Sequence, residues 1–315
     1  MKLKILAKAL IRHLPGNEKL FPMHTGGTNT ARYCYSVWLR HLILANEFEN
    51  DHPKIVAELG PGDSLGMGIA ALISGAEYYY ALDVVKYWDI ETNLKIFDEL
   101  VEMFRNKEPI PGKEEFAKLK PAMVTYDFPS HIYTDTYLKK ILEPERLKKI
   151  RESIARLGNE RLPVDNKIKY FIPWYESNVI EEKSVDMIFS QSVLEHVNEV
   201  ENTYLAMDQW LRPGGIISHS IDFKSHGTAD LWNGHWAHSD FAWKVIKGNK
   251  SFLLNREPYS THATIIKKLG FKIVRQIKVK LNSELSRQKL AKRFSELSDE
   301  DLSTSSAFVQ AVKPA

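Results

Sequence analysis

Residues 55–83 constrain this chain more than any other stretch, because they set a short apolar run, a glycine turn, a helix start and a second apolar run in direct succession. Ile55-Val-Ala-Glu58-Leu59 has the length and β-branched start of a strand buried on both faces. Gly60-Pro61-Gly62 then removes side chains at two positions of the turn, which permits left-handed backbone and lets a ligand touch bare main chain. Ser64 stands where it can cap the following helix. A second strand, Tyr78–Leu82, ends in Asp83, whose carboxylate is placed to accept both hydroxyls of a ribose. Strand, tight turn and helix in this order form the nucleotide-binding end of an open α/β sheet.

The same loop limits the ligand. Pyrophosphate on a helix N-terminus goes with a third small residue three positions after the second glycine, and this chain has Leu65 there. Glu58, inside the end of the strand, would repel a phosphate and suits a cationic ligand. An NAD-dependent oxidoreductase is disfavoured on both counts.

Two more motifs follow. Asp186-Met-Ile-Phe-Ser190 is an apolar strand running into Gln191-Ser-Val-Leu-Glu195-His196-Val197, and Leu211-Arg-Pro-Gly-Gly215 turns into a strand at 216–221. Together with Glu58-x-Gly60-x-Gly62 and the acidic end of the second strand, they resemble the class I, Rossmann-like S-adenosylmethionine-dependent methyltransferases. The likeness covers residues 54–83 and 168–313. It implies an α/β fold, a doubly wound and mostly parallel seven-stranded sheet whose last strand lies antiparallel between the fifth and sixth. It also implies an enzyme with S-adenosyl-L-methionine as cofactor. In that family's pattern Glu58, Gly60, Pro61 and Gly62 hold the amino-acid part of the cofactor, Asp83 with Val84 the ribose side, and Ser190 and Gln191 border the methyl donor.

Transfer from a sulfonium is an in-line displacement that needs alignment, exclusion of water and often removal of a proton from the acceptor. His196, just past the fourth strand, is the first candidate base, with Glu195 either orienting it or facing solvent. Asp222 and His226 belong to a second group of acid-base residues after the fifth strand, together with His219, His235, His238 and Asp240. Their spacing matches no zinc pattern, so no metal is assigned. Arg256, in a polar turn, suits an anionic group of a substrate. The expected partner is a small polar acceptor, a sugar or other metabolite methylated on oxygen or nitrogen. A nucleic-acid or protein methyltransferase and a non-catalytic S-adenosylmethionine-binding module are the alternatives. Methylation of base amines goes with an Asn/Asp-Pro-Pro-aromatic motif after the fourth strand, where this chain has Ser190-Gln-Ser-Val.

Composition agrees with a cytoplasmic globular protein: 43% hydrophobic and 26% charged residues over 315, with one cysteine, Cys34, and so no intramolecular disulfide. A net charge of +3 spread over both signs gives no field for nucleic acid. The N-terminal stretch 1–15 reads as a basic amphipathic helix, suited to docking on its own protein or to peripheral contact with an anionic membrane. Residues 1–50 are expected to form an N-terminal helical segment, with Thr28, Arg32 and Tyr33 in a lid, and 51–315 the catalytic domain. Helix-like runs at 90–105 and 138–157 make a helical insertion at about 84–167, and its origin at the carboxyl end of the second strand predicts a substrate cap.

Overall fold

The computed structural model describes residues 27–47, 52–158, 165–174, 176–250 and 252–314, so the expected helix at 1–15 lies outside the described residues. One sheet holds β1 (Ile55–Leu59), β2 (Tyr78–Leu82), β3 (Ile168–Phe171), β4 (Val185–Gln191), β5 (Leu211–Asp222), β6 (Lys272–Lys280) and β7 (Thr304–Val312). The strand order is β3-β2-β1-β4-β5-β7-β6, with β1 to β5 parallel and β7 antiparallel to both β5 and β6. This is the doubly wound sheet expected from the motifs. All carboxyl ends of β1, β2, β4 and β5 therefore share one edge, where the glycine turn lies.

Side chains alternate across this sheet and meet helices on both faces. Val56, Tyr79, Met187 and Phe189 pack with α1 (Ala31–Asn46), α2 (Gly66–Ile73) and α3 (Ile90–Arg105). Ala57, Leu59, Ile188 and Ile217 pack on the other face with α6 (Val200–Trp210) and α7 (Tyr259–Lys268). β6 is only partly covered and places Lys272, Lys278 and Lys280 along an outer edge, a charge pattern that discourages pairing with another strand. No described helix is long and apolar enough to cross a membrane.

Three expectations need correction. The run at 138–157 is two helices, α4 (Asp135–Ile141) and α5 (Pro144–Ala155), because Pro144 disfavours helical backbone at Glu143 (ψ 135°) and itself fits the first turn of a new helix. These helices do not cap the ligand-binding edge. Arg146 of α5 donates to Leu72 O (2.5 Å) and Ala76 O (2.8 Å), and Tyr137 of α4 lies against Gly75 and stacks on His52 at 4.1 Å. Those partners lie before the amino ends of β1 and β2. α3 carries the chain back from the carboxyl edge, and α4 and α5 pack at the opposite end, with Leu147, Ile150 and Ile154 of α5 buried in the α1–α3 core. Finally, α1, which carries Arg32 and Tyr33 of the expected lid, is a core helix. Trp38 and His41 of α1 pack on Phe189 of β4, and His41 Nδ1 shares a 2.7 Å hydrogen bond with Ser218 of β5.

Candidate active site

The glycine turn is built as its sequence requires. Gly60 (φ +64°) and Gly62 (φ +75°) are left-handed, which side chains resist. Gly60 N donates to Leu82 O at 2.8 Å, tying the end of β1 to β2. Thr28, from the expected lid, staples the loop: its hydroxyl donates to Pro61 O at 3.0 Å and accepts from Asp63 N at 2.9 Å, while Ser64 donates to Thr28 O. Arg32 turns away to pair with Glu108 and Glu115, and Tyr33 meets Phe116 edge to face. Leu65, not Ser64, is the N-cap of α2, although Ser64 Oγ accepts from Gly66 N at 3.1 Å and Asn93 Oδ1 from Leu65 N at 2.8 Å.

The acidic side chains of this turn and of the two strand ends are Glu58, Asp63 and Asp83, with no basic side chain among them to receive a phosphate. Asp83 is 7% exposed and accepts from Val84 N (2.7 Å), Val85 N (3.4 Å) and Gly62 N (3.3 Å). Burial raises its pKa against the pull of these amides. Glu58 is fully buried: Oε2 accepts from the Tyr79 hydroxyl at 2.5 Å and Oε1 has no partner among the described residues. Burial pushes its pKa up to about 8, offset in part by the Tyr79 bond. Glu58 thus lies beneath the loop. Tyr79 packs against Gly68, where an added β-carbon would come within 2.0 Å of its ring. Nothing in the residue pattern flagged Tyr79, because only the fold brings it to Glu58.

At the end of β4 the two cofactor candidates diverge. The Ser190 hydroxyl shares a 2.8 Å hydrogen bond with His219 Nδ1, and both residues are fully buried, so Ser190 can meet a ligand through its backbone but not its side chain. Gln191 Nε2 donates to Ser220 Oγ at 3.3 Å. Beyond them Val193 folds back over Gly60.

The three catalytic candidates come together at the same edge. His226 Nε2 lies 3.4 Å from Asp222 Oδ2, and the His226 and His196 rings are 5.4 Å apart. Lys224 Nζ donates to both Asp222 oxygens, at 3.0 and 2.9 Å. Burial alone would raise the Asp222 pKa, but the bonds from His226 and Lys224 prevail and hold it at about 2. His196 is lowered to about 4, first by burial and then by neighbouring His226, and its buried Nδ1 has no partner among the described residues. The other histidines of the cluster separate: His219 is core, His238 bonds Thr228 O at 3.1 Å, and His235 is buried beside Trp236. Arg256 is buried rather than open to an anion, donating to His238 O and Asp240 at 2.7 Å each. Glu195 neither bonds His196 nor faces solvent; it is 3% exposed. Asn255, unremarked in sequence, fixes that turn by donating through Nδ2 to Leu194 O (2.7 Å) and Val197 O (2.8 Å). Among the described residues no three His, Cys, Asp or Glu side chains gather as a metal-ligand set.

A family model described as a methyltransferase domain matches residues 144–218, which run from α5 through β4 into β5. No curated protein matches. Among solved structures, an S-adenosylmethionine-dependent methyltransferase from Mesorhizobium loti is similar at 15% identity, covering 88% of this chain and 98% of that one with a TM-score of 0.41. Phosphoethanolamine N-methyltransferase 2 from Haemonchus contortus, in complex with S-adenosyl-L-methionine, is similar at 14% identity, covering 92% of this chain and 58% of that one with a TM-score of 0.41. Likenesses this distant say nothing of the acceptor.

Proposed function

We propose that this chain, which belongs to the class I S-adenosylmethionine-dependent methyltransferases, transfers the methyl group to an oxygen or nitrogen of a small polar acceptor held beside His226, Asp222 and His196. The bound cofactor supplies an electrophilic methyl group on sulfur. The chain's own part is to hold the reactants in line and to accept the acceptor's proton. The main chain at Gly62 gives close approach, Asp83 receives the ribose hydroxyls, and the backbone at Ser190 and Gln191 borders the methyl end.

The observation that carries this reading is the Asp222–His226 pair, 3.4 Å apart at the edge that also holds the glycine turn. A carboxylate facing Nε2 fixes that nitrogen as the protonated one, leaves Nδ1 to take the acceptor's proton, and stabilises the imidazolium that results. This moves the base from His196, the first candidate in sequence, to His226. With its pKa near 4, His196 is neutral and weakly basic at pH 7, and serves better as a wall of the site. Residues 51–315 act as one catalytic domain, with the described part of 1–50 packed into it. The lone, buried Cys34 suits a reducing cytoplasm.

The test is calorimetric titration of S-adenosylhomocysteine and NAD, followed by methyl transfer from radiolabelled S-adenosylmethionine to a panel of amines, amino sugars and polyols. Binding of the first ligand without the second, and label on one acceptor class that His226→Ala abolishes, is the expected result. Absence of S-adenosylhomocysteine binding rejects the cofactor reading. Undiminished transfer by His226→Ala rejects the base.

A further inference from the structure

Residues 225–228 form the tight turn that carries His226. Thr228 N donates to Ser225 O at 2.9 Å, and the two residues between them, His226 (φ +44°) and Gly227 (φ +75°), are both left-handed, as in a type I′ turn. Glycine takes this backbone freely. Histidine takes it at a cost, and stays there only where its surroundings hold it. The conformation matters for chemistry, because it is the one in which His226 Nε2 faces Asp222 Oδ2, four residues back, at 3.4 Å.

The turn is held from further along the chain. Ser225 N donates to Trp232 O at 2.6 Å, and the carbonyl of Thr228, a residue 2% exposed, accepts from His238 Nε2 at 3.1 Å. His238 is fixed in its turn, since its own carbonyl accepts from Arg256 Nη1 at 2.7 Å. Arg256 donates as well to Asp240 Oδ1 at 2.7 Å. Its guanidinium lies 4.7 Å from the centre of the Trp243 ring and 5.0 Å from that of Phe294. A planar guanidinium packed against two rings and hydrogen-bonded on its rim is a rigid anchor.

We propose that His238 and Arg256 are positioning residues, which through Thr228 O hold the left-handed turn that aims His226 at Asp222; this rests on the reading of His226 as the base. Without the His238 donor the Thr228 carbonyl loses its side-chain partner, the turn relaxes toward right-handed backbone, and the imidazole leaves the carboxylate. The arrangement also fixes two tautomers. A carbonyl acceptor requires His238 to carry its proton on Nε2, and the Asp222 carboxylate requires the same of His226.

The tautomers are the readout, taken from proton–nitrogen correlation spectra of the nitrogen-labelled full chain at about pH 8, above the range in which imidazole takes up a proton. Signals are assigned by their loss in His226→Ala and His238→Ala. In the wild type both rings are expected as single, Nε2-protonated forms. In His238→Ala the His226 nitrogens should shift to the averaged values of an imidazole exchanging between tautomers. His238→Gln, whose side-chain amide can donate to the same carbonyl, should restore the wild-type shifts. An unmoved His226 in a folded His238→Ala overturns the proposal, and so does a shift that His238→Gln fails to reverse. A wild-type His238 protonated on Nδ1 overturns it with no variant needed. The base reading fails separately: methyl transfer undiminished by His226→Ala removes it, whatever the tautomers show, and leaves His238 as a support of the turn alone.

Discussion

Val193 closes over Gly60: a β-carbon on Gly60 would stand 2.7 Å from Val193 Cγ2. The space that glycine leaves at this point is filled by the chain itself, and the turn after β1 and the turn after β4 are locked to each other. Gly60→Ala meets both this contact and a φ of +64°, and is expected to lower stability by about 1–3 kcal/mol. Adding Val193→Ala should restore the steric part only. Urea unfolding of the two single variants and the double variant measures the coupling, and strict additivity would show that the contact carries no energy.

Asp83 is held just past the end of β2 by the amides of Gly62, Val84 and Val85. Asp83→Ala is expected to weaken S-adenosylhomocysteine by about 1.5–3 kcal/mol, the size of lost charge-assisted bonds to a ribose. Calorimetry on a folded variant decides; an unchanged affinity means that the ribose lies elsewhere.

With an acceptor in hand, His226→Ala should reduce single-turnover methylation by about 10²- to 10⁴-fold, and cofactor affinity should hold. Asp222→Asn, which keeps the shape but removes the charge opposite the imidazole, should slow the same step and shift its pH profile. His196→Ala should be milder than either. The reverse order would restore His196 as the base.

Five histidines, His41, His196, His219, His235 and His262, are held below their ordinary pKa, chiefly by burial. The unfolded chain binds protons at these residues first, so their stabilising effect is complete above about pH 6.5 and is lost as the pH falls toward the folded values, near 3 for His41 and 4 for His262. At pH 5 a group whose folded value is near 4, such as His262, costs about 2 kcal/mol. Glu58 and Glu195, whose pKa values burial raises, act in the opposite sense and offset part of this. Stability measured in urea should therefore fall between pH 6.5 and 5. His262→Gln should flatten that slope by about one proton; an unaltered slope would show that His262 is not a source of the effect.

What could be read in sequence was the part set by local pattern. β1, β2 and α3 fall where apolar runs put them, and the left-handed glycines follow from Gly60-Pro61-Gly62. The place of α4 and α5 was not legible, because it depends on which end of the sheet α3 delivers the chain to. The directions of the Ser190 and Glu195 side chains escape the sequence for a related reason. Position along a strand says that a residue is near the carboxyl edge, but only pairing shows that Ser190 points with Ile188 toward α6, into the core with His219. Tyr79 under Gly68 and Val193 over Gly60 are contacts between separate elements, which no single stretch of residues encodes.

β7 is the latest strand in the chain, yet it occupies an interior place between β5 and β6 and hydrogen-bonds to both. Its Gln310 Nε2 also reaches back to His41 O and Ser218 Oγ, each at 3.0 Å. During synthesis on the ribosome, the loops that form the ligand edge are therefore all made before the strand that completes the sheet emerges. Until then β5 has an open edge beside Asp222 at its end. Completion of the sheet waits on β7, and the nascent protein must keep that edge from pairing with a neighbour in the interval.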